Sequence, residues 1–221
     1  DSNLFVNKVI AIPGYKPAPT FFPSWLNGVE GKFRDEYPPE PVQPDLKAAQ
    51  KLMAEVKKEW GPNVLPELTL LTVTSPTGAK IAEYFQGLLK QTLGLDIKVD
   101  QQTFKQYLVK ANQGRFDIVL SSWYPDFDDI VTYADLMASW NPNNRGKYAN
   151  AEYDRWFRVL QEAQDPKVRM NAAAKLQQII IDDVPLLPTT ETGSAYVQHP
   201  RLKGVIRRVL GQDPDYTFAR V

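Results

Sequence analysis

The sequence contains no cysteine and a single histidine, His199. The lack of cysteine excludes disulfides, thiolate nucleophiles and cysteine-ligated zinc, and one histidine excludes a multi-histidine metal site. Lysine plus arginine and aspartate plus glutamate both number 26, so the chain carries no net charge. A nucleic-acid-binding protein would show a basic excess. We therefore expect no metal and no nucleic-acid partner.

Long apolar runs and glycine-rich motifs are also missing. No apolar stretch approaches the ~18 residues of a membrane span. The 12 glycines form neither a phosphate-binding loop nor a dinucleotide fingerprint, and no Gly-x-Ser-x-Gly elbow occurs. We therefore expect no cofactor. The chain opens at Asp1 without a methionine or a basic, apolar leader, which predicts a mature protein or an excised fragment.

The segment 12–44 is rich in both proline and aromatic residues. Its eight prolines exclude a long helix or a central strand. Disordered segments are poor in aromatic residues, so we predict an ordered loop that its rings hold against the domain. The alternative is that some rings line a ligand site. The aromatic residues of this segment are Tyr15, Phe21, Phe22, Trp25, Phe33 and Tyr37.

Hydrophobic periodicity predicts the order strand–helix–strand–helix–strand between residues 67 and 122. Such a unit folds through right-handed crossovers into a parallel sheet covered by helices, so the predicted fold class is α/β. The predicted strands are 67–73, 96–100 and 116–122, with one or two more within 186–198. The predicted helices are 2–11, 45–60, 78–93, 103–112, 129–139, 151–164 and 165–182. Helical spacing predicts Trp60 and Phe104 on the core-facing sides of their helices.

Ligands of open parallel sheets bind beyond the carboxyl ends of the strands, which directs attention to the residues after the third strand. Trp123-Tyr-Pro-Asp-Phe-Asp-Asp129 follows it and holds three carboxylates. A calcium loop is excluded because apolar residues stand where further oxygen ligands are needed. Asp128 or Asp129 could cap the next helix. Asp126 with Asp129 could instead form a glycosidase-type acid pair.

A third interpretation makes Asp126 the anchor for a cationic group. Trp123 and Tyr124 would provide apolar walls beside it, and a lower local dielectric strengthens a charge pair with an ammonium.

Several stretches resemble the peptide-binding proteins of ABC importers, the family 5 extracellular solute-binding proteins. The chain from Gly114 to Asp129 is similar to the family's G-x-[FY]-D…W-x-x-D-Y-x-D-P stretch, and Asn144 to Asp154 is similar to N-x-x-x-Y-x-N-P-E-Y-D. Residues 165–169, 184–188 and parts of the tail also fit. The resemblance implies a periplasmic-binding-protein-like lobe with a βαβαβ core and helices packed on both faces.

The resemblance also implies roles for the residues after the third strand. Asp126 would pair with the α-amino group of a short peptide. Two departures from the family pattern, Pro125 and Ile130, leave the ligand class open. The predicted ligand-binding residues are Trp123, Tyr124, Pro125, Asp126 and Phe127.

Family members are two-lobed and longer, so this chain resembles the second lobe alone. We expect residues 1–44 to pack on a ligand-binding lobe at 45–190, and residues 191–221 to return to the missing N-terminal lobe. The implied function is substrate binding for an importer, not catalysis, with a membrane permease as partner. The implied location is periplasmic or extracytoplasmic, with membrane anchoring as a lipoprotein open. The alternatives are the sensing domain of a cytoplasmic transcription regulator and a hydrolase built on Asp126 and Asp129.

Overall fold

The computed structural model describes residues 2–40, 44–61, 67–208 and 213–221. The helices are α1 (Ser2–Leu4), which continues as a π-helix over Phe5–Ile10, α2 (Phe33–Glu36), α3 (Leu46–Trp60), α4 (Pro76–Leu93), α5 (Phe104–Asn112), α6 (Val131–Ala134), which continues as a 3₁₀ turn over Asp135–Met137, α7 (Ala151–Glu162) and α8 (Pro166–Asp183). The strands are β1 (Lys16–Pro17), β2 (Leu68–Val73), β3 (Ile97–Gln102), β4 (Ile118–Val119) and β5 (Thr190–Glu191).

The chain divides into two units, each built from two segments. The first unit is Asp1–Ala11 with Pro41–Ser122, and the second unit is Ile12–Glu40 with Trp123–Val221. These boundaries do not coincide with the expected division at 44/45 and 190/191. That three-part division therefore stays a prediction about the complete protein.

The first unit is a parallel α/β sandwich. Its strand order is β3–β2–β4, with both pairings parallel, as the βαβαβ pattern predicts. Leu70 packs with Ala82 of α4, and Leu71 packs with Tyr107 of α5. Because consecutive strand residues point to opposite faces, this alternation places one helix on each side of the sheet and confirms the predicted fold class.

Polar caps set the starts of the helices. Asp45 and Ser75 each accept a hydrogen bond from a backbone N–H three residues later, both at 2.9 Å, and Asp165 caps α8. These bonds satisfy amides that a helix leaves without an internal partner. The predicted start of α4 at residue 78 was two residues late because Ser75 acts as the cap and Pro76 fits the first helical position.

The second unit buries its core between α7, α8 and the segment 12–40. Phe157 and Leu176 come from the two helices, and Phe22, Leu26 and Phe33 come from the proline-rich segment, all with at most 1% exposure. The prediction of an ordered segment held by its rings is confirmed over its described residues. Phe22 and Phe33 belong to the core and cannot line a ligand site.

Two expectations about the first unit were wrong. Trp60 on α3 is 56% exposed and Phe104 on α5 is 67% exposed, although helical spacing predicted both as core residues. Spacing shows which residues share a helix face, but not whether another element covers that face. The third strand is also shorter than predicted, covering Ile118–Val119 rather than 116–122. Within the described ranges, no helix is long and apolar enough to cross a membrane.

Candidate functional site

The five predicted ligand-binding residues follow β4 directly and belong to the second unit. Trp123 is half-buried and packs against the core of that unit, and its buried indole N–H lacks a hydrogen-bond acceptor within the described structure. Pro125 is half-buried, whereas Tyr124 and Phe127 are 69% and 51% exposed. The segment therefore fixes one ring in the core and leaves two rings available to a ligand.

Asp126 lies exposed between these rings. Its backbone N–H donates to the Thr132 hydroxyl at 3.4 Å, which holds the main chain in place. Its carboxylate forms no hydrogen bond or ion pair with any described residue. A carboxylate on a fixed backbone with no internal cation is suited to receive an external one.

Asp129 has the opposite surroundings. Its carboxylate accepts two hydrogen bonds from Arg169 at 2.9 and 2.8 Å, and a third from the Val131 N–H at 2.9 Å. Arg169 also donates to the Leu160 carbonyl at 3.1 Å. Asp129 therefore accepts a hydrogen bond from the first amide of α6, although the cap position of that helix is Ile130. A catalytic acid pair with Asp126 would need a free Asp129 carboxylate, but Arg169 and the Val131 amide already bind it.

Asp135 is a second carboxylate close enough to Asp126 to interact with it electrostatically, and it was missed by the sequence analysis. It begins the 3₁₀ turn and is half-buried, and its Oδ1 atom is buried without a hydrogen-bond partner among the described residues. Burial, and then the negative charge of Asp126, raise the pKa of Asp135, whereas a hydrogen bond from Asn141 lowers it. Sequence reasoning missed Asp135 because it falls within a predicted helix, where a polar residue is normally solvated.

Tyr15 and Tyr133 lie close enough to Tyr124 to interact with it electrostatically. Burial raises the pKa of Tyr133 to about 12, with smaller contributions from Glu191 and Tyr124. Burial and Tyr124 raise the pKa of Tyr15 in the same way. Tyr133 also packs edge-on against Phe21 and Trp25, with ring centres 6.0 and 6.1 Å apart. The segment 12–40 therefore contributes aromatic surface beside Tyr124.

An ion pair holds the segment 12–40 in place. Glu191 pairs with Arg34 at 2.6 Å and accepts hydrogen bonds from the backbone and hydroxyl of Ser24 at 3.1 and 2.6 Å. Arg34 also donates to the Phe22 carbonyl at 2.7 Å. The two charged side chains are only 18% and 11% exposed. This arrangement, called here the Glu191 latch, joins β5 to the segment that carries Tyr15 and Trp25.

Comparisons with known proteins identify the relatives of this chain. It is 29% identical to the dipeptide-binding protein DppE of Bacillus subtilis over 89% of this chain and 36% of that protein. An oligopeptide ABC transporter substrate-binding domain from Bacillus anthracis matches all of this chain and 43% of its own, with 26% identity and a TM-score of 0.90. The Listeria monocytogenes OppA structure, bound to peptide, matches 99% of this chain and 42% of its own, with 27% identity and a TM-score of 0.85.

These matches settle the family but cover only part of each relative. The first four curated relatives are matched over 36–40% of their own length. The family described as "Bacterial extracellular solute-binding proteins, family 5 Middle" matches residues 2–145. The resemblance seen in the sequence is thereby confirmed, and the chain belongs to the family 5 bacterial extracellular solute-binding proteins.

Proposed function

We propose that this chain is the second lobe of the substrate-binding component of an ABC importer and that it binds short peptides. Membership of the family supports this proposal, as do the relatives named for dipeptide and oligopeptide binding. The missing N-terminal lobe would close over the ligand, and residues 191–221 would return to that lobe. A membrane permease would receive the peptide, and the setting would be periplasmic or extracytoplasmic, with anchoring as a lipoprotein left open.

The unpaired carboxylate of Asp126 is the observation that carries the proposal. In the open site a pair between this exposed carboxylate and an ammonium is worth at most about 1 kcal/mol. Enclosure between two lobes lowers the dielectric and strengthens the pair. Trp123, Tyr124, Pro125 and Phe127 would provide the surface that excludes water around it. Main-chain hydrogen bonds along the peptide would then add affinity without depending on the ligand's side chains.

The proposal is of a binding protein and not an enzyme. Asp129, the carboxylate that the hydrolase alternative requires, is engaged by Arg169 and Val131. The relatives reported above are named for transport and peptide binding. Their names give no support to the alternative of a regulator's sensing domain.

Native mass spectrometry of the chain as purified, and of its full-length parent, tests the proposal. We expect a ladder of added masses that matches short peptides. In the full-length parent, where two lobes can enclose the pair, we then expect Asp126→Asn to lower the affinity of trialanine at least about tenfold, because a buried charge partner is lost. Asp128→Asn is the matched control, since Asp128 is exposed and, among the described residues, accepts a single hydrogen bond, from Asn27 at 3.4 Å. No peptide binding by either protein, or equal affinities in the two variants, would contradict the proposal.

A further inference from the structure

A second carboxylate lies near Asp126 and carries an inference that rests on the proposed function. Asp135 is half-buried, and one of its oxygens is buried without a hydrogen-bond partner in the described residues. A buried charged oxygen without a donor is costly for the folded chain. Such a cost is characteristic of groups that serve a ligand rather than the fold.

The groups that face Asp135 do not neutralise it. Asp126 approaches from the segment after β4 and adds like charge, and Asn141 contributes a neutral hydrogen bond. Tyr153 of α7 also interacts electrostatically with Asp135, but its hydroxyl donates to the Ala134 carbonyl at 2.7 Å. No ion pair to Asp126 or Asp135 occurs in the part of the chain that the structure describes.

Two half-buried arginines of the second unit bind other acids. Arg34 pairs with Glu191 at 2.6 Å, and Arg169 pairs with Asp129 at 2.8 Å. These two cations therefore lie on Glu191 and Asp129, the carboxylates that stabilise the fold. Neither Asp126 nor Asp135 has an ion-pair partner among the described residues.

We propose that Asp135 is a specificity-determining residue of the Asp126 site, a recessed second carboxylate that strengthens its preference for a cationic ligand group over a neutral group of similar shape. A ligand ammonium at Asp126 would be attracted by both charges, while a neutral amide there would be attracted by neither. Asp126 would contact the ligand ammonium directly, and Asp135 would attract it electrostatically from a recessed position.

The proposal predicts a characteristic dependence on pH. Both burial and Asp126 raise the pKa of Asp135, so ionising Asp135 is unfavourable in the empty site. A bound ammonium offsets the repulsion and favours the ionised form. Affinity for a free-amine peptide should therefore rise with pH through the range in which Asp135 ionises. Affinity for the N-acetylated peptide should not follow that rise.

Carboxyl ¹³C NMR titration of this chain tests the coupling between the two acids. We expect Asp126→Asn to lower the titration midpoint of Asp135, because a neighbouring negative charge is removed, and Asp128→Asn to leave it unchanged. An Asp135 midpoint that is ordinary in the wild type and unaffected by Asp126→Asn would overturn the inference.

Ligand selectivity is the second test, measured by calorimetry with trialanine and N-acetyl-trialanine on the chain or its full-length parent. We expect Asp135→Asn to weaken trialanine binding by about threefold to tenfold and to leave N-acetyl-trialanine unchanged. A purely structural role would weaken both peptides alike. If Asp135→Asn leaves the ratio of the two peptide affinities unchanged, the inference alone is overturned. If neither peptide binds the full-length parent, the proposed function is overturned and the inference with it.

Discussion

The carboxylates of Asp126 and Asp129 lie three residues apart in the chain and have opposite surroundings. Asp129 receives three hydrogen bonds, two of them from Arg169 and one from the first amide of the helix that follows. Asp126 receives none from the described chain and is exposed. The fold therefore uses one acid of this segment to hold it in place and leaves the other without a partner.

The same contrast extends across the second unit. Glu191 resembles Asp129, because an arginine and nearby donors satisfy it. Asp135 resembles Asp126, because one of its oxygens is buried without a donor among the described residues. The number of internal partners separates acids that stabilise the fold from acids available to a ligand. Substitutions of these four residues should therefore have graded effects on stability.

Glu191→Gln should cause the largest loss of stability. It leaves Arg34 buried without its counter-charge, and breaking a buried pair costs about 3 kcal/mol in the free energy of unfolding. Urea denaturation followed by tryptophan fluorescence measures this loss well, because four of the five tryptophans belong to the second unit. Glu30→Gln, a change at an exposed acid, is the control. A loss below about 1 kcal/mol would show that the Glu191 latch does not hold the segment 12–40.

Asp129→Asn should come next, at about 2 kcal/mol, because the amide cannot accept both bonds from Arg169 and the bond from the first amide of the following helix is weakened. The two side chains of this pair are 26% and 29% exposed, so solvent screens it more than the Glu191 latch. The same denaturation experiment applies, with Asp128→Asn as control. Equal stability of the two variants would contradict the contrast between Asp129 and its neighbours.

Asp135→Asn should change stability in the opposite direction. A carboxyl whose pKa is raised by folding stabilises the native state below its ordinary value of 3.8, and this contribution is lost as the pH rises through the raised native value. At neutral pH the cost is fully present, so the variant should gain about 0.5 kcal/mol after allowance for solvent screening. Denaturation at pH 3 and pH 7 checks this: the gain should appear only at pH 7. A loss of stability at pH 7 would show that the fold needs the charge.

Asp126→Asn should have the smallest effect, within about 0.5 kcal/mol at neutral pH, because its carboxylate has no partner in the described chain to lose. Together with the peptide affinities proposed above, this sharpens the comparison: Asp126 should matter for binding and not for folding. A destabilisation as large as that of Asp129→Asn would place Asp126 among the structural acids.

The features predicted from the sequence are those that depend on neighbouring residues. The caps at Asp45 and Asp165, and the strand–helix alternation through β4, follow from short-range patterns and were predicted correctly. The segment after the third strand was identified for the same reason, because strand ends mark ligand sites in parallel sheets. The assignment of its five residues to the ligand site is still a prediction.

The partners of the acids could not be predicted, because they come from distant parts of the chain. Arg169 reaches Asp129 across 40 residues, and Arg34 reaches Glu191 across 157. Nothing in the local pattern distinguishes Asp135, which is half-buried, from an ordinary solvated acid of a helix. Trp60 shows the converse error, since its helical spacing predicted burial that no described element provides.

The interleaved order of the two units has a consequence for synthesis on the ribosome. Phe22, Leu26 and Phe33 are translated early, but the α7 and α8 residues that bury them follow the whole of the 41–122 segment. The nascent chain must therefore carry three large apolar side chains without their partners while the first unit is being made. Exposed apolar surface of this kind promotes aggregation and recruits chaperones. We expect the aromatic residues of this segment to be the part of the nascent protein that chaperones protect longest.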